Sequence, residues 1–194
     1  MRTSKRSRVG VKAVALAVLL VFGSLGSLAS ASAASPSFAC TGNLSPTERT
    51  ICADNSLAAL DVALTAAYQK ALAALPPESA NSLDETRVGL TVTQKAWIAH
   101  RNSCGAGKAC IAKAYQVRTG ELTAGPNTPD VSCNDTVGAA AAALFVKQCK
   151  QVATATHPPC NAANTCELIV SHTANRCAFL GDQAPKFCAA YLKP

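Results

Sequence analysis

The chain of 194 residues contains few of the groups on which enzymes depend. Its three histidines, His100, His157 and His172, are the candidate general bases, and we interpret them as surface residues. It has no nucleophile elbow, no phosphate-binding loop and no glycine-rich dinucleotide fingerprint. We therefore expect no catalytic residue, no cofactor and no enzymatic activity.

The chain also lacks a strong excess of charge beyond its first 33 residues. The formal net charge is +7, from 18 Lys and Arg against 11 Asp and Glu. Five of the basic residues and none of the acidic ones lie within residues 1–33, which leaves 13 against 11, or +2. This balance does not indicate a nucleic-acid-binding protein or a polybasic membrane patch.

No apolar run is long enough to indicate a membrane anchor. The run at residues 13–28 is interrupted by two glycines and falls short of the roughly 20 residues that a span needs. Basic residues precede it and small residues at 29–33 follow it, which predicts a cleaved signal peptide over residues 1–33. We expect an exported protein, periplasmic or secreted. Lipidation at Cys40 is not expected, because Ser-Phe-Ala before it matches a lipobox poorly.

Cysteine is abundant, and all ten cysteines follow the predicted signal peptide within about 160 residues. In an exported protein this density indicates a disulfide framework, and an even number leaves no obvious free thiolate for nucleophilic catalysis. Ligand-type residues recur from His157 to Cys177, but paired Cys-x2-Cys knuckles are missing. Disulfides explain the same cysteines, so we expect no metal.

Turn-forming residues at 124–130 predict a linker that divides the cysteines into two even sets. Four precede the linker: Cys40, Cys52, Cys104 and Cys110. Six follow it: Cys133, Cys149, Cys160, Cys166, Cys177 and Cys188. We predict a mostly α protein of two small disulfide-stapled helical modules, over residues 38–124 and 131–194.

Helix signals occur throughout the first module. Ser-Pro-Thr-Glu at 45–48 is a capping sequence that predicts a short helix to about Cys52, and Asp54 can cap the next helix. Residues 83–103 combine a strand-like alternation with a helical face, and their length favours a helix. A last helix is predicted over about 110–122.

The second module is also predicted to be helical. Five consecutive alanines favour a helix over 137–149. Asn164, with Glu three residues later, predicts the start of a helix that stops near Gly181. Cys166 and Cys177 share a face of that helix about 16 Å apart, too far for a disulfide. Each must bond elsewhere, and four partners are open: Cys133, Cys149, Cys160 and Cys188.

The four cysteines of the first module allow three pairings. We favour Cys40 with Cys52 and Cys104 with Cys110, because both join short segments. The second pair would close residues 102–109 into a tight loop carrying Lys108, and a preorganised loop loses less entropy on docking. Lys108 is therefore a candidate partner-binding residue, and the alternative is a solvent-exposed turn between helices.

Asp61 and Arg101 are ionic residues on otherwise apolar helical faces. One interpretation is a partner-binding pair, and Arg101 is retained as a candidate contact residue on that basis. The other interpretation, which we favour, is an internal ion pair or hydrogen bonds to the backbone that fix helix packing, because buried charges must be paired.

A succession of motifs resembles the LprI-type lysozyme inhibitor family. The matching positions, in order, are Cys40, Glu48, Ile51 and Cys52; Leu57, Leu60, Asp61, Leu64 and Tyr68; Gln94, Trp97, Arg101 and Cys104; and Cys110, Tyr115 and Arg118. The departures are Lys95 in place of Arg, and Ile98 and Ile111 in place of Leu. The resemblance covers about residues 38–124 and leaves the six-cysteine module without an assigned function.

The resemblance implies a helical module and, for some members, inhibition of lysozyme. We expect an exported inhibitor of lysozyme or a related peptidoglycan hydrolase that acts by non-covalent binding. A lysine on a rigid loop could pair with the two catalytic carboxylates of such an enzyme, although a net charge of +2 does not favour steering toward a basic lysozyme. The alternative is a structural or interaction module of the cell envelope without inhibitory activity. The sequence leaves the oligomeric state open.

Overall fold

The computed structural model describes residues 34–77, 84–124, 131–153 and 158–192. The predicted signal peptide, most of the predicted linker and His157 lie outside these ranges. Within them the secondary structure is helical, without strands, and five disulfides join all ten cysteines. The predicted fold class, mostly α and disulfide-stapled, is confirmed. None of the described helices has the length and apolar character that a membrane span requires.

Four helices lie in the predicted first module, residues 38–124: α1 (Pro46–Cys52), α2 (Asn55–Ala73), α3 (Glu85–Asn102) and α4 (Lys108–Ala124). The predicted capping box opens α1, where Ser45 Oγ accepts from Glu48 N and the Glu48 carboxylate accepts from Ser45 N. Asp54 caps α2 as predicted. The helical interpretation of residues 83–103 is confirmed by α3, and α4 begins two residues earlier than expected.

Trp97 lies at the centre of this module and is 1% exposed. Its indole Nε1 donates to the backbone oxygen of Ala114 over 3.2 Å, and its ring meets Tyr115 edge to face at 5.3 Å. A buried Trp needs such a partner for its N–H, and edge-to-face pairs add about 0.5–1.5 kcal/mol beyond burial. These contacts fix α3 against α4.

The predicted second module, residues 131–194, contains α5 (Cys133–Val137), α6 (Ala139–Val152), α7 (Cys166–Leu180) and α8 (Ala189–Leu192), with two 3-10 turns between α7 and α8. The expected single helix over 137–149 is wrong at its start, because Gly138 separates α5 from α6 with φ of 80°. A Cβ at Gly138 would lie 2.8 Å from His100 Nδ1, so the break brings the backbone close to α3.

The start of α7 also differs by one residue from the prediction. Thr165, not Asn164, is the N-cap, and its hydroxyl accepts from Leu168 N. The Asn164 side chain instead donates to the backbone oxygens of Pro158 and Pro159. The helix ends at Gly181, as expected.

Disulfides join Cys40 to Cys52 and Cys104 to Cys110, which are the pairs that the short separations favour. In the second module the pairs are Cys133 with Cys166, Cys149 with Cys160, and Cys177 with Cys188. Cys166 and Cys177 therefore each bond to a different partner, as the helical spacing requires.

Residues Ala33–Pro194 form one compact unit in which α3 packs against α7. The approach is closest at Gly89 of α3, where a Cβ would lie 2.3 Å from Ser171 Oγ and 3.0 Å from the backbone oxygen of Glu167. Only a glycine fits between two helices at this distance without displacing one of them.

Candidate functional site

The loop between α3 and α4 is held at both ends. The Cys104–Cys110 disulfide closes it. The hydroxyl of the buried Thr47 in α1 donates to the backbone oxygens of Asn102, over 3.0 Å, and Gly105, over 2.8 Å. A covalent bond and the single hydroxyl proton of Thr47, shared between two backbone oxygens, therefore restrict a segment that is otherwise largely exposed.

Lys108 is the first residue of α4 and lies on this loop, with 64% of its side chain exposed. Its Nζ is 2.7 Å from Asp54 Oδ2. The other carboxylate oxygen of Asp54 caps α2 by accepting from Ser56 N and Leu57 N. The hydrogen bond from Lys108, followed by the cap, lowers the pKa of Asp54. The carboxylate is therefore ionised at neutral pH, and the ion pair ties the loop to the start of α2.

Arg101, the other candidate contact residue, is 5% exposed. Its Nη1 donates to the hydroxyl of Tyr115 over 3.0 Å, and that hydroxyl donates to Asp61 Oδ1 over 2.7 Å. The guanidinium also lies 3.9 Å from Asp61 Oδ1 and 5.4 Å from the centre of the Trp97 ring. Burial raises the pKa of the Tyr115 hydroxyl, which keeps it protonated as the bridge. This is the arrangement of an internal network that joins α2, α3 and α4.

A second buried cluster surrounds Arg118, which is fully buried. Its Nη1 donates to Glu121 Oε2 over 2.7 Å and to Glu167 Oε1 over 2.6 Å, while its Nε donates to Gln94 Oε1 over 3.0 Å. Glu167 belongs to α7, so the cluster spans both modules. Sequence reasoning did not find it. The spacing of Arg118 and Glu121 was a visible signal, but nothing in the sequence pointed to Glu167.

The pKa of the Glu121 carboxyl group is raised well above its ordinary value. Burial, and next the neighbouring charge of Glu167, raise its pKa to about 8, against the opposing effect of Arg118. The hydroxyl of Thr136 in α5 also donates to Glu121 Oε2, over 3.1 Å. At neutral pH Glu121 is therefore largely protonated, because its burial and the nearby Glu167 carboxylate outweigh the attraction of Arg118.

Three ligand-type side chains, Cys149, Cys160 and His172, meet within 4.8 Å of one another in the described part of the second module. The two sulfurs are bonded to each other, and a disulfide sulfur is not a thiolate ligand. Cys166 and Cys177, which continue the run of ligand-type residues in the sequence, bond to other cysteines. The group is a disulfide beside a histidine.

A comparison with known protein families gives a match within the first module. Residues 40–124 match the family model of the lysozyme inhibitor LprI. A comparison with curated proteins gives no match, and neither does a comparison with solved structures. The matched segment runs from the first bonded cysteine to the last residue of α4, and the six-cysteine module lies outside it. Residues 40–124, which include the first four helices, are therefore similar to the LprI lysozyme inhibitor family.

Proposed function

We propose that the protein is an exported inhibitor of a lysozyme or a related peptidoglycan hydrolase, and that it acts by non-covalent binding. The observation that carries the proposal is the LprI match over all four helices of the first module. Five disulfides support export, because such bonds persist in oxidising compartments.

The contact surface that we propose is the loop closed by Cys104 and Cys110, together with Lys108. The loop is exposed, positively charged at Lys108 and restrained by the disulfide and Thr47. Lysozyme-type enzymes hold two catalytic carboxylates in a cleft, and a lysine that enters the cleft can pair with them. Because the loop is already ordered, docking costs less conformational entropy than docking of a free segment.

Asp54 affects how Lys108 would bind. The ion pair restricts a long side chain that otherwise loses up to about 2 kcal/mol of rotamer entropy when it is fixed. A cleft carboxylate must then share or replace Asp54 as the partner of the ammonium group. The 64% exposure of the Lys108 side chain leaves room for a second carboxylate.

We assign Arg101 a positioning role. Its guanidinium is buried and engaged by Tyr115 and Asp61, so it holds α3 against α2 and α4. Substitution of Arg101 should weaken inhibition by lowering stability. Substitution of Lys108 should weaken inhibition with little change in the thermal midpoint, because an exposed ion pair such as that of Lys108 with Asp54 contributes little to stability.

Lysis of bacterial cell walls by lysozyme, with the mature protein titrated into the assay, tests the proposed surface. Lys108→Ala should raise the inhibition constant about tenfold, the effect of about 1.4 kcal/mol. Lys95→Ala is the matched control, because Lys95 is an exposed helical lysine away from the loop. Equal potency of the Lys108 variant and the wild type would remove the loop from the proposal. If the wild type does not inhibit, the alternative of an envelope interaction module is favoured.

A further inference from the structure

Two open grooves meet at Asn134 on the described surface. The first, of about 490 Å³, is lined by side chains that include His100, Lys113 and Val117, and it begins at Cys110 of the closed loop. The second, of about 1140 Å³, follows α6 past Lys147 and Lys150 to Pro158. Asn134 lines both, so the two grooves adjoin at this residue, one beside α4 and the other along α6. We call their combined surface the joint groove.

The charge of the joint groove is positive. Lys113, Lys147 and Lys150 are exposed, and none of the three has a carboxylate within 4.0 Å among the described residues. The one acidic lining residue, Asp135, accepts a hydrogen bond from Ser132 Oγ over 2.6 Å. The lining therefore carries a net charge of +2, as much as the whole chain beyond residue 33.

The surface between the lysines is mostly apolar, although Asn134, Gln151 and Asn161 also line it. The apolar part is formed by short aliphatic side chains and a proline: Ala114, Val117, Val131, Ala143, Val146 and Pro158. Phe, Tyr and Trp are missing from the described lining, so sugar rings find no aromatic face on which to stack. Small apolar side chains between separated cations suit a peptide that carries both acidic and aliphatic side chains.

We propose that the joint groove binds an extended acidic segment of a partner protein, with aspartate or glutamate side chains on the three lysines and aliphatic side chains on the apolar floor. Exposed charges of this kind contribute to specificity and association rate as well as affinity. The six-cysteine module then supplies part of a binding site that the LprI module alone lacks. The proposal is independent of lysozyme inhibition, because it rests on the charge and shape of the groove.

Fluorescence anisotropy on the full mature protein tests this proposal with a labelled decapeptide of alternating aspartate and leucine. The double variant Lys147→Glu/Lys150→Glu should weaken binding of the peptide at least tenfold, and raised salt should weaken wild-type binding. The matched control is Lys70→Glu/Lys95→Glu, which reverses two exposed helical lysines outside the joint groove and should change the affinity less than twofold.

Two further probes identify the class of partner. A decapeptide with lysine in place of aspartate should not bind, and polygalacturonate, a carboxylated polysaccharide, should bind more weakly than the acidic peptide. Equal affinity of the charge-reversed and wild-type proteins would overturn the proposal, and so would tighter binding of the polysaccharide. Thermal unfolding of each variant distinguishes a lost contact from a lost fold, since these exposed substitutions should not shift the midpoint.

Discussion

Arg118 of α4 and Glu167 of α7 form an ion pair, with 2.6 Å between Arg118 Nη1 and Glu167 Oε1. The pair joins the segment that matches LprI, residues 40–124, to the six-cysteine segment that follows it. The guanidinium is fully buried, and the Glu167 side chain is 26% exposed. A buried guanidinium needs a carboxylate, because an unpaired charge in the interior costs several kcal/mol. Arg118 therefore pairs with a carboxylate outside the matched segment as well as with Glu121 inside it.

Arg118→Gln should strongly destabilise the protein. It removes a fully buried guanidinium that donates to Gln94, Glu121 and Glu167, and the lost charge-assisted hydrogen bonds should cost about 2 kcal/mol or more. Urea unfolding followed by circular dichroism measures the loss. Arg49→Gln, at an exposed arginine, should cost less than about 0.5 kcal/mol. Losses of equal size in the two variants would show that the buried cluster contributes nothing to stability.

Glu121 should make the protein less stable as the pH rises. Its folded pKa of about 8 lies above the ordinary value of 4.5, so between these values the folded state holds one more proton than the unfolded state. The free energy of unfolding from this group then falls with rising pH, by up to about 1.4 kcal/mol per unit. Glu121→Gln should flatten that slope between about pH 4.5 and 8. If the free energy of unfolding of the variant depends on pH as steeply as that of the wild type, Glu121 is not the group that binds the extra proton.

Gly89→Ala should separate α3 from α7. The new Cβ would meet Ser171 Oγ at 2.3 Å and the backbone oxygen of Glu167 at 3.0 Å, so the variant should lose about 1–3 kcal/mol of stability. Gly120→Ala is the matched control within α4, where a Cβ meets nothing within 4 Å, and it should gain up to about 1 kcal/mol. Adding Ser171→Ala to the Gly89 variant should recover part of the loss. A neutral Gly89→Ala would contradict this packing.

Tyr115→Phe should cost about 2 kcal/mol of stability, because the lost hydroxyl bridges two buried charged groups, Asp61 and Arg101. Tyr191→Phe provides the comparison. That hydroxyl donates to the neutral side chain of Gln148, and its loss should cost about 1 kcal/mol. Thermal and urea unfolding of both variants test the difference, and a smaller loss for Tyr115→Phe than for Tyr191→Phe would contradict the bridging role.

The features that the sequence predicted correctly depend on local chemistry. The capping box at Ser45 and Glu48 and the cap at Asp54 each involve residues two to three positions apart, so the pattern alone specifies them. The exclusion of a Cys166–Cys177 bond follows from helical rise. The helix over residues 83–103 was harder to predict, because Val88, Leu90 and Val92 alternate as they would in a strand. The length of the segment favoured a helix, and the structure confirms it.

The features that were missed depend on contacts between distant segments. The break at Gly138 follows from the approach of His100, and the position of Gly89 follows from α7. Asn164 was expected to cap α7, but its amide bonds back to the 158–159 segment while Thr165 supplies the cap. The charge cluster needs α7 packed on α3 before Glu167 can reach Arg118. No periodicity or spacing in a single sequence reports such pairings.

The most direct test of the proposed inhibition is the lysis of bacterial cell walls by lysozyme, titrated with the purified, oxidised mature protein. A stoichiometric inhibitor should lower lysis to a plateau near one equivalent, and a complex of the two proteins should be isolated by gel filtration. Undiminished lysis across several lysozyme classes, with all five disulfides shown to be intact, would contradict inhibition. The LprI match would then describe a helical module whose partner lies elsewhere in the envelope.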